Sequence, residues 1–338
     1  MMVWYVPLLV MIFALSIFIT QRYIRFAQQK GLIDQPNHRS SHTLPTPRGG
    51  GIVFVSLWLF ALAALAIGQK ISLGLAFYYA LPTGILALVG FIDDTYSLSG
   101  KHRFLIQAGC AVLALSLLGS LPVLDFSFFT IPYPYFNEIF AFFLILWSIN
   151  LFNFMDGMDG FATSEALFIF IPGSLFLLEI GAMEEAAILA MLVMGLLGFF
   201  YWNRPRAKVF MGDIGSTSLG LVIPLTALYA QIHYNTPVIL WIMLYGVFLF
   251  DATVTLLRRI LHGEKWYEAH RKHAYQRLHQ AGWSHGQVLM GLMCLQTWIL
   301  AITGFTYYFQ ENAAILAFSE VGLLAIVYLW IEKTKPMN

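Results

Sequence analysis

Residues 150–160 read Asn-Leu-Phe-Asn-Phe-Met-Asp-Gly-Met-Asp-Gly. Two carboxylates, Asp156 and Asp159, and two carboxamides, Asn150 and Asn153, follow an almost purely apolar run. Ionisable side chains at the edge of a hydrophobic span are costly, so they point first to a functional site. The glycine after each aspartate lets backbone approach a ligand closely. Asp93-Asp94, followed by Lys101 and Arg103, suits a Mg²⁺ ion held through one or two carboxylates, or a base for a phosphate oxygen. The stretch 203–217 joins three cations, the aromatic Phe210 and a Met-Gly-Asp213-x-Gly-Ser turn. Ring stacking, phosphate neutralisation and a metal ligand together read as a nucleotide-diphosphate site. Arg48 precedes Gly49-Gly50-Gly51, whose free backbone N–H groups would suit a phosphate or diphosphate. His270 and His273 lie one turn apart, on one face if helical, and with Arg271 suit contact with an anion. Asp251, two turns before Arg258, reads either as a buried partner of that arginine or as a member of the site, with the structural role preferred.

The elements that must position these residues are transmembrane helices. Hydrophobic residues make up 59% of the 338 and charged ones 11%, with a mean hydropathy of +0.72. That composition is expected of an all-α polytopic integral membrane protein. Apolar runs of spanning length fall near 3–21, 51–68, 74–92, 104–121, 138–153, 161–180, 186–202, 215–232, 237–257, 287–309 and 313–331. About eleven transmembrane helices follow, with the N-terminus outside and the C-terminus cytosolic. All but Lys70 of the nineteen Lys and Arg residues then fall on the cytosolic side, Arg39 among them, as the positive-inside rule requires. The whole chain, 1–338, reads as a single transmembrane catalytic domain, with 258–286 a cytosolic arm contributing to the site. Segment 122–137, rich in aromatics and prolines, reads as a small outer hairpin or interfacial segment. Ile139 to Met155 is a short span, about 25 Å as a helix, which sets Asp156 at or slightly inside the cytosolic surface. A net charge of +1 offers no field for nucleic acid. Cys110 and Cys294 read as small buried hydrophobes.

Every cytosolic loop thus carries groups that a connector does not need, and together they suit chemistry on a phosphorylated substrate at the inner leaflet. The ordered set Pro-Thr-Pro-Arg48-Gly-Gly-Gly, Asp93-Asp94, Asn153-x-x-Asp156-Gly-x-Asp159-Gly, Asn203 with Phe210-Met-Gly-Asp213-x-Gly-Ser, and His270-x-x-His273 resembles the polyprenyl-phosphate N-acetylhexosamine-1-phosphate transferases, glycosyltransferase family 4. The resemblance spans about residues 30 to 280. The segment 269–278 looks most like the O-antigen-initiating branch. Ser97 in place of a lysine, and two spaced histidines in place of three consecutive ones, depart from the peptidoglycan translocase branch.

The resemblance implies transfer of an N-acetylated sugar 1-phosphate from a UDP-sugar (UDP-GlcNAc or a deoxy relative such as UDP-N-acetylfucosamine) to undecaprenyl phosphate, releasing UMP. It implies Mg²⁺, with Mn²⁺ as a substitute, on Asp213. Phe210 would stack on uracil, and Asn203 and Gly157 would line the uridine pocket. Asn153, Asp156 and Asp159 would shape the diphosphate and metal region, Asp93 would be the base toward the lipid phosphate, and His270 and His273 would contact sugar or phosphate. The implied setting is the bacterial inner membrane, with the site on its cytosolic face; a homodimer would be unsurprising. The rivals are a Mg-dependent intramembrane prenyltransferase, which uses paired Asp-x-x-x-Asp motifs, and an ion-coupled transporter, which places its acids near the bilayer midplane.

Overall fold

A computed structural model describes residues 5–36, 41–121, 123–265 and 270–337. Arg39 of the charge pattern and Ala269 of the branch-like segment lie outside these. Thirteen α-helices dominate: α1 (Tyr5–Lys30), α2 (Gly51–Ile67), α3 (Leu73–Tyr96), α4 (Gly100–Leu118), α5 (Pro134–Met155), α6 (Phe161–Glu179), α7 (Met183–Asn203), α8 (Gly212–Tyr234), α9 (Val238–Leu244), α10 (Gly246–Leu261), α11 (Ala274–Gln280), α12 (His285–Tyr308) and α13 (Ala313–Thr334). Among the described residues nine helices are long and apolar enough to cross a membrane, or ten if α9 and α10, bent by 77°, count as one broken span. The chain is a polytopic helical membrane protein. Each of the eleven apolar runs corresponds to a helix or to this bent pair. The second run falls below the length of the other spans, because α2 has only 17 residues.

α8 is the axle of the fold. Fully 89% of its most apolar window is buried, and it packs against α2, α3 and α5. Small residues on α8 make this close approach attainable. A Cβ on Gly220 would stand 2.7 Å from the carbonyl of Ser148 on α5, and the Ser148 hydroxyl donates to the Gly220 carbonyl at 2.6 Å. α7 packs on α1, α2 and α6, while α12 and α13 lie against one another beside α9 and α10. Where α9 breaks from α10, the Glu165 carboxylate of α6 accepts from the Phe248 N–H and from Gln296 of α12.

Two short hairpins complete the chain. Ile33–Asp34 (β1) pairs antiparallel with Thr46–Pro47 (β2), and Leu124–Asp125 (β3) with Thr130–Ile131 (β4). The second is the expected hairpin of 122–137, closed by Phe126 stacked on Phe129 at 4.7 Å.

Three sequence expectations need correction. α5 starts at Pro134 and runs 22 residues, about 33 Å, so a short span cannot locate Asp156. Proline at the first helical position explains the early start, since its missing N–H would be unpaired there anyway. Asp251 does not pair with Arg258, which reaches Glu332 instead at 2.6 Å. Cys294 is exposed on α12, although Cys110 is buried.

A candidate phosphosugar-transfer site

The cleft is assembled from helix ends. Asp93 and Asp94 close α3, Asn153 and Asp156 close α5, and Asp213 stands in the first turn of α8. Gly212 just before it has φ +73°, a left-handed conformation that glycine adopts without strain. α8 has no side-chain cap of its own. Asp94 supplies one from the neighbouring helix, accepting from the N–H groups of Asp213 (3.2 Å) and Ile214 (3.5 Å), where the helix dipole favours a carboxylate. Arg103 of α4 reaches Asp93 at 3.0 Å and Asp213 at 3.4 Å, so one guanidinium bridges two acids. Arg48 donates to the Asp94 backbone carbonyl, and Tyr23 fixes the Arg48 carbonyl at 2.7 Å.

These groups surround a cleft of about 520 Å³. Arg48, Asp94, Asn153, Asp156, Gly157, Asp159, Phe210, Asp213, His270 and His273 line it, whereas Asp93, Asn150, Asn203 and Arg271 do not; the Asn150 amide donates to Gln107 at 2.8 Å instead. Asp93, with an 8% exposed side chain, stands just behind the cleft wall, held by Arg103 at 3.0 Å and the Leu98 N–H at 2.5 Å and hydrogen-bonded to the side chain of Asp213. Asn203 is buried beneath the 203–213 turn: it accepts from Thr163 at 2.7 Å and donates to the Val209 carbonyl at 2.9 Å. Its amide shapes the turn that carries Phe210 and does not face the cleft. The Gly49–Gly51 run is no phosphate cradle either. The N–H groups of Gly50 and Gly51 are spent on the carbonyls of Phe210 (2.9 Å) and Met211 (2.8 Å), and Phe210 N–H returns to Pro47. The run instead welds the first inner loop to the Met-Gly-Asp turn.

The other predicted residues converge. Asn153 accepts from Ser216 at 2.8 Å, one turn along α8 from Asp213. Burial, with the negative charge of Asp94 nearby, pushes the Asp156 carboxyl up to about 7. Burial acts the same way on Asp159, but the His285 hydrogen bond and charge and the N–H groups of Ala207 and Arg206 outweigh it and hold this carboxyl below the usual range. Those bonds measure 3.1 Å to His285, 3.0 Å to Arg206 and 3.2 Å to Ala207. Asp159 is thus a fastener of the 203–213 turn. Phe210 is half-buried, with His42 meeting it edge-on at 4.8 Å.

His270 and His273 are not on one helical face: His270 is in the loop and His273 is the N-cap residue of α11. Their rings still meet at 4.8 Å. Asp251 approaches His273 at 3.6 Å, the partner it has in place of Arg258. Burial, then the charges of His273 and Arg259, push His270 down to about 3, so it is neutral at physiological pH and serves better as a hydrogen-bond partner than as a cation.

Sequence reasoning passed over His285, His42, Trp147 and Gln276, all of which line the cleft. His285 could have been found: Ser284 and Gln287 form a capping box, a sequence-readable helix start, which puts His285 at the mouth of a span. Its Nδ1 faces Asp159 and its Nε2 lies 3.0 Å from the Ser41 carbonyl.

For a metal the donor set is hard oxygen. Among the described residues no three His, Cys, Asp or Glu side chains are gathered as a metal cage. Mg²⁺ does not need one; it is commonly held by one or two carboxylates plus substrate phosphates and water. Asp213, with Asp94 and Asp156 also facing the cleft, fits that mode.

The profile of Glycosyl transferase family 4 matches residues 76–231, from α3 to the end of α8. An undecaprenyl-phosphate alpha-N-acetylglucosaminyl 1-phosphate transferase of Salmonella typhi is 32% identical over 314 residues, covering 86% of this chain and 82% of its own. The chain belongs to glycosyl transferase family 4. A Bacillus subtilis protein named probable undecaprenyl-phosphate N-acetylglucosaminyl 1-phosphate transferase is 28% identical over 323 residues, 91% of this chain and 84% of its own. The Escherichia coli K12 undecaprenyl-phosphate alpha-N-acetylglucosaminyl 1-phosphate transferase is 29% identical over 297 residues, 83% and 77%. In this family 4 member the profile holds the acids of α3, α5 and α8 but stops before the arm that brings His270, His273 and His285 to the cleft.

Proposed function

We propose that this chain transfers N-acetylglucosamine 1-phosphate, or that of a deoxy relative, from its UDP donor to undecaprenyl phosphate, releasing UMP and starting a cell-envelope polysaccharide. The observation that carries this reading is the cleft itself: Asp94, Asp156 and Asp213 face Arg48, Arg103 and Phe210 at the ends of apolar helices. There a lipid-borne phosphate and a soluble nucleotide can meet. The names of the relatives supply the sugar and the lipid. The site is assigned to the cytosolic face of a bacterial inner membrane, the side to which the basic loops belong, with residues 258–286 as an arm over a single catalytic domain.

Phosphoryl transfer asks for positioning and charge neutralisation more than for covalent chemistry. Phe210 offers a face to uracil. Arg48 and Arg103 hold two anionic reactants together against their repulsion. The acceptor needs little help from a base, because a phosphate monoester gives up its second proton near pH 6. Asp156, titrating near 7, is placed to take a proton that remains. Neutral His270 suits a sugar hydroxyl or acetamide better than a phosphate. Mg²⁺ at Asp213, when bound, would neutralise the diphosphate and the charge developing on UMP.

The test is purified protein with radiolabelled UDP-GlcNAc, undecaprenyl phosphate and Mg²⁺, followed for UMP and labelled lipid. No labelled lipid from any UDP-N-acetylhexosamine would sink the proposal. A prenyltransferase would instead consume a prenyl diphosphate, and a transporter would move label without releasing UMP.

A further inference from the structure

α11 has only seven residues, Ala274–Gln280, and a helix so short does not hold its shape without tertiary support. It nevertheless presents His273, its N-cap residue, and Gln276 to the cleft. Three contacts fix where it lies. At its start the Ala274 N–H donates to Asp251 of α10 at 2.9 Å. In its first turn the Tyr275 ring stacks on Phe161 of α6 at 4.5 Å. At its far end Arg277 reaches Glu332, near the end of α13, at 2.5 Å.

Glu332 serves two elements at once. Its carboxylate accepts from both terminal nitrogens of Arg258 on α10, at 2.6 and 3.0 Å, as well as from Arg277, so it ties α10 and α11 to α13. The two arginines are not alike. Arg258 keeps 28% of its side chain exposed and has water within reach. Arg277 is 1% exposed, with its guanidinium 4.8 Å over the ring of Tyr328. Among the described residues its hydrogen bonds all leave from Nη1, to Glu332 and to the Lys335 carbonyl at 3.1 Å, while Nε and Nη2 meet no acceptor. Among those residues Glu332 is also the one acid within ion-pair reach of it. A buried cation stripped of its counter-charge is strongly unfavourable, and Arg277 regains water by drawing α11 out of its place.

We propose that Glu332 is a positioning residue for the transferase site: through Arg277 it sets the place of α11, and hence of His273 and Gln276 beside the donor sugar. The last clause rests on the proposed function, which sets His270 against a sugar hydroxyl or acetamide; the His273 ring lies 4.8 Å from that of His270. The placing of α11 by Glu332 does not depend on that reading.

Titration calorimetry of UDP-GlcNAc and of UMP on the full chain in detergent with Mg²⁺, without undecaprenyl phosphate, separates positioning from general stability. Glu332→Gln, which keeps an acceptor but loses the charge, should weaken UDP-GlcNAc about tenfold more than UMP, because UMP lacks the sugar. Adding Arg277→Met, which removes the stranded cation, should recover most of that loss. Amide hydrogen exchange over α11 should rise about tenfold in Glu332→Gln, with α8 unchanged, and return toward the parent in the double variant. Were Glu332→Gln too unstable to isolate, the double variant should still bind both nucleotides nearly as the parent does. Equal losses for UDP-GlcNAc and UMP, no recovery on adding Arg277→Met, or unchanged exchange in α11 would each overturn the proposal. A parent chain that binds neither nucleotide would overturn the proposed function instead, and the exchange measurement would still decide the role of Glu332.

Discussion

At the scale of single residues, the cleft assigns unequal tasks to acids that look alike in sequence. Asp213 is the acid that both lines the cleft and is bridged by Arg103. Asp213→Asn should lower turnover by roughly 10³-fold, about 4 kcal/mol of transition-state stabilisation, measured as UMP release; near-normal turnover with unchanged Mg²⁺ dependence would remove it from the metal site. Phe210→Ala should raise KM for the UDP-sugar, since stacking on a base is worth roughly 1–3 kcal/mol, and leave kcat nearly unchanged. Asp156 makes a prediction of its own. Its carboxyl titrates at about 7 in the fold against 3.8 normally, so between these values the folded chain binds a proton that the unfolded chain has lost. Stability therefore falls as pH rises through that window and levels off above it. The Tm difference between Asp156→Asn and the parent should widen from pH 5 to 7 in the variant's favour and then stay constant. A difference that is flat with pH would show that Asp156 is an ordinary carboxylate.

At the scale of elements, the site depends on contacts that tie loops to helix starts. His285, at the N-terminus of α12, reaches both Asp159 and the Ser41 carbonyl; only a doubly protonated ring donates to both. It clasps the first inner loop and the 203–213 turn to a third helix. His285→Ala should cost about 1.5–3 kcal/mol of stability, as for a charge-assisted hydrogen bond, and raise KM for the UDP-sugar more than it lowers kcat. His285→Gln, which keeps one of the two bonds, should recover part of both losses. Equal effects of the two variants, with KM unmoved, would reduce the clasp to ordinary packing. The weld between Gly50–Gly51 and Phe210–Met211 belongs to the same scale. The glycines were visible in the sequence, but their partners lie about 160 positions away, and spacing along a chain carries no record of such a pairing.

At the scale of the whole molecule, the proposed cytosolic site rests on an orientation expected from the segregation of Lys and Arg. In intact cells carrying the protein without its own Cys110 and Cys294, Lys70→Cys should react with a membrane-impermeant maleimide added outside, and Arg204→Cys should react only after lysis. The opposite pattern would turn the molecule over and remove the site from its nucleotide. The sequence by itself determined the class of the protein, its apolar helices, and most of the acids and arginines that meet in the cleft. Apolar runs of spanning length and acids at their edges leave few alternatives, because each buried charge in a membrane must have a reason. Only the tertiary structure decided what each polar group does. Asp94 caps a helix it does not belong to, and Asn203 holds a turn from beneath. Asp251 turns to His273 and leaves Arg258 to Glu332. A carboxylate takes the donors that packing brings within 3 or 4 Å, and in a bundle of tilted helices those come from any part of the chain.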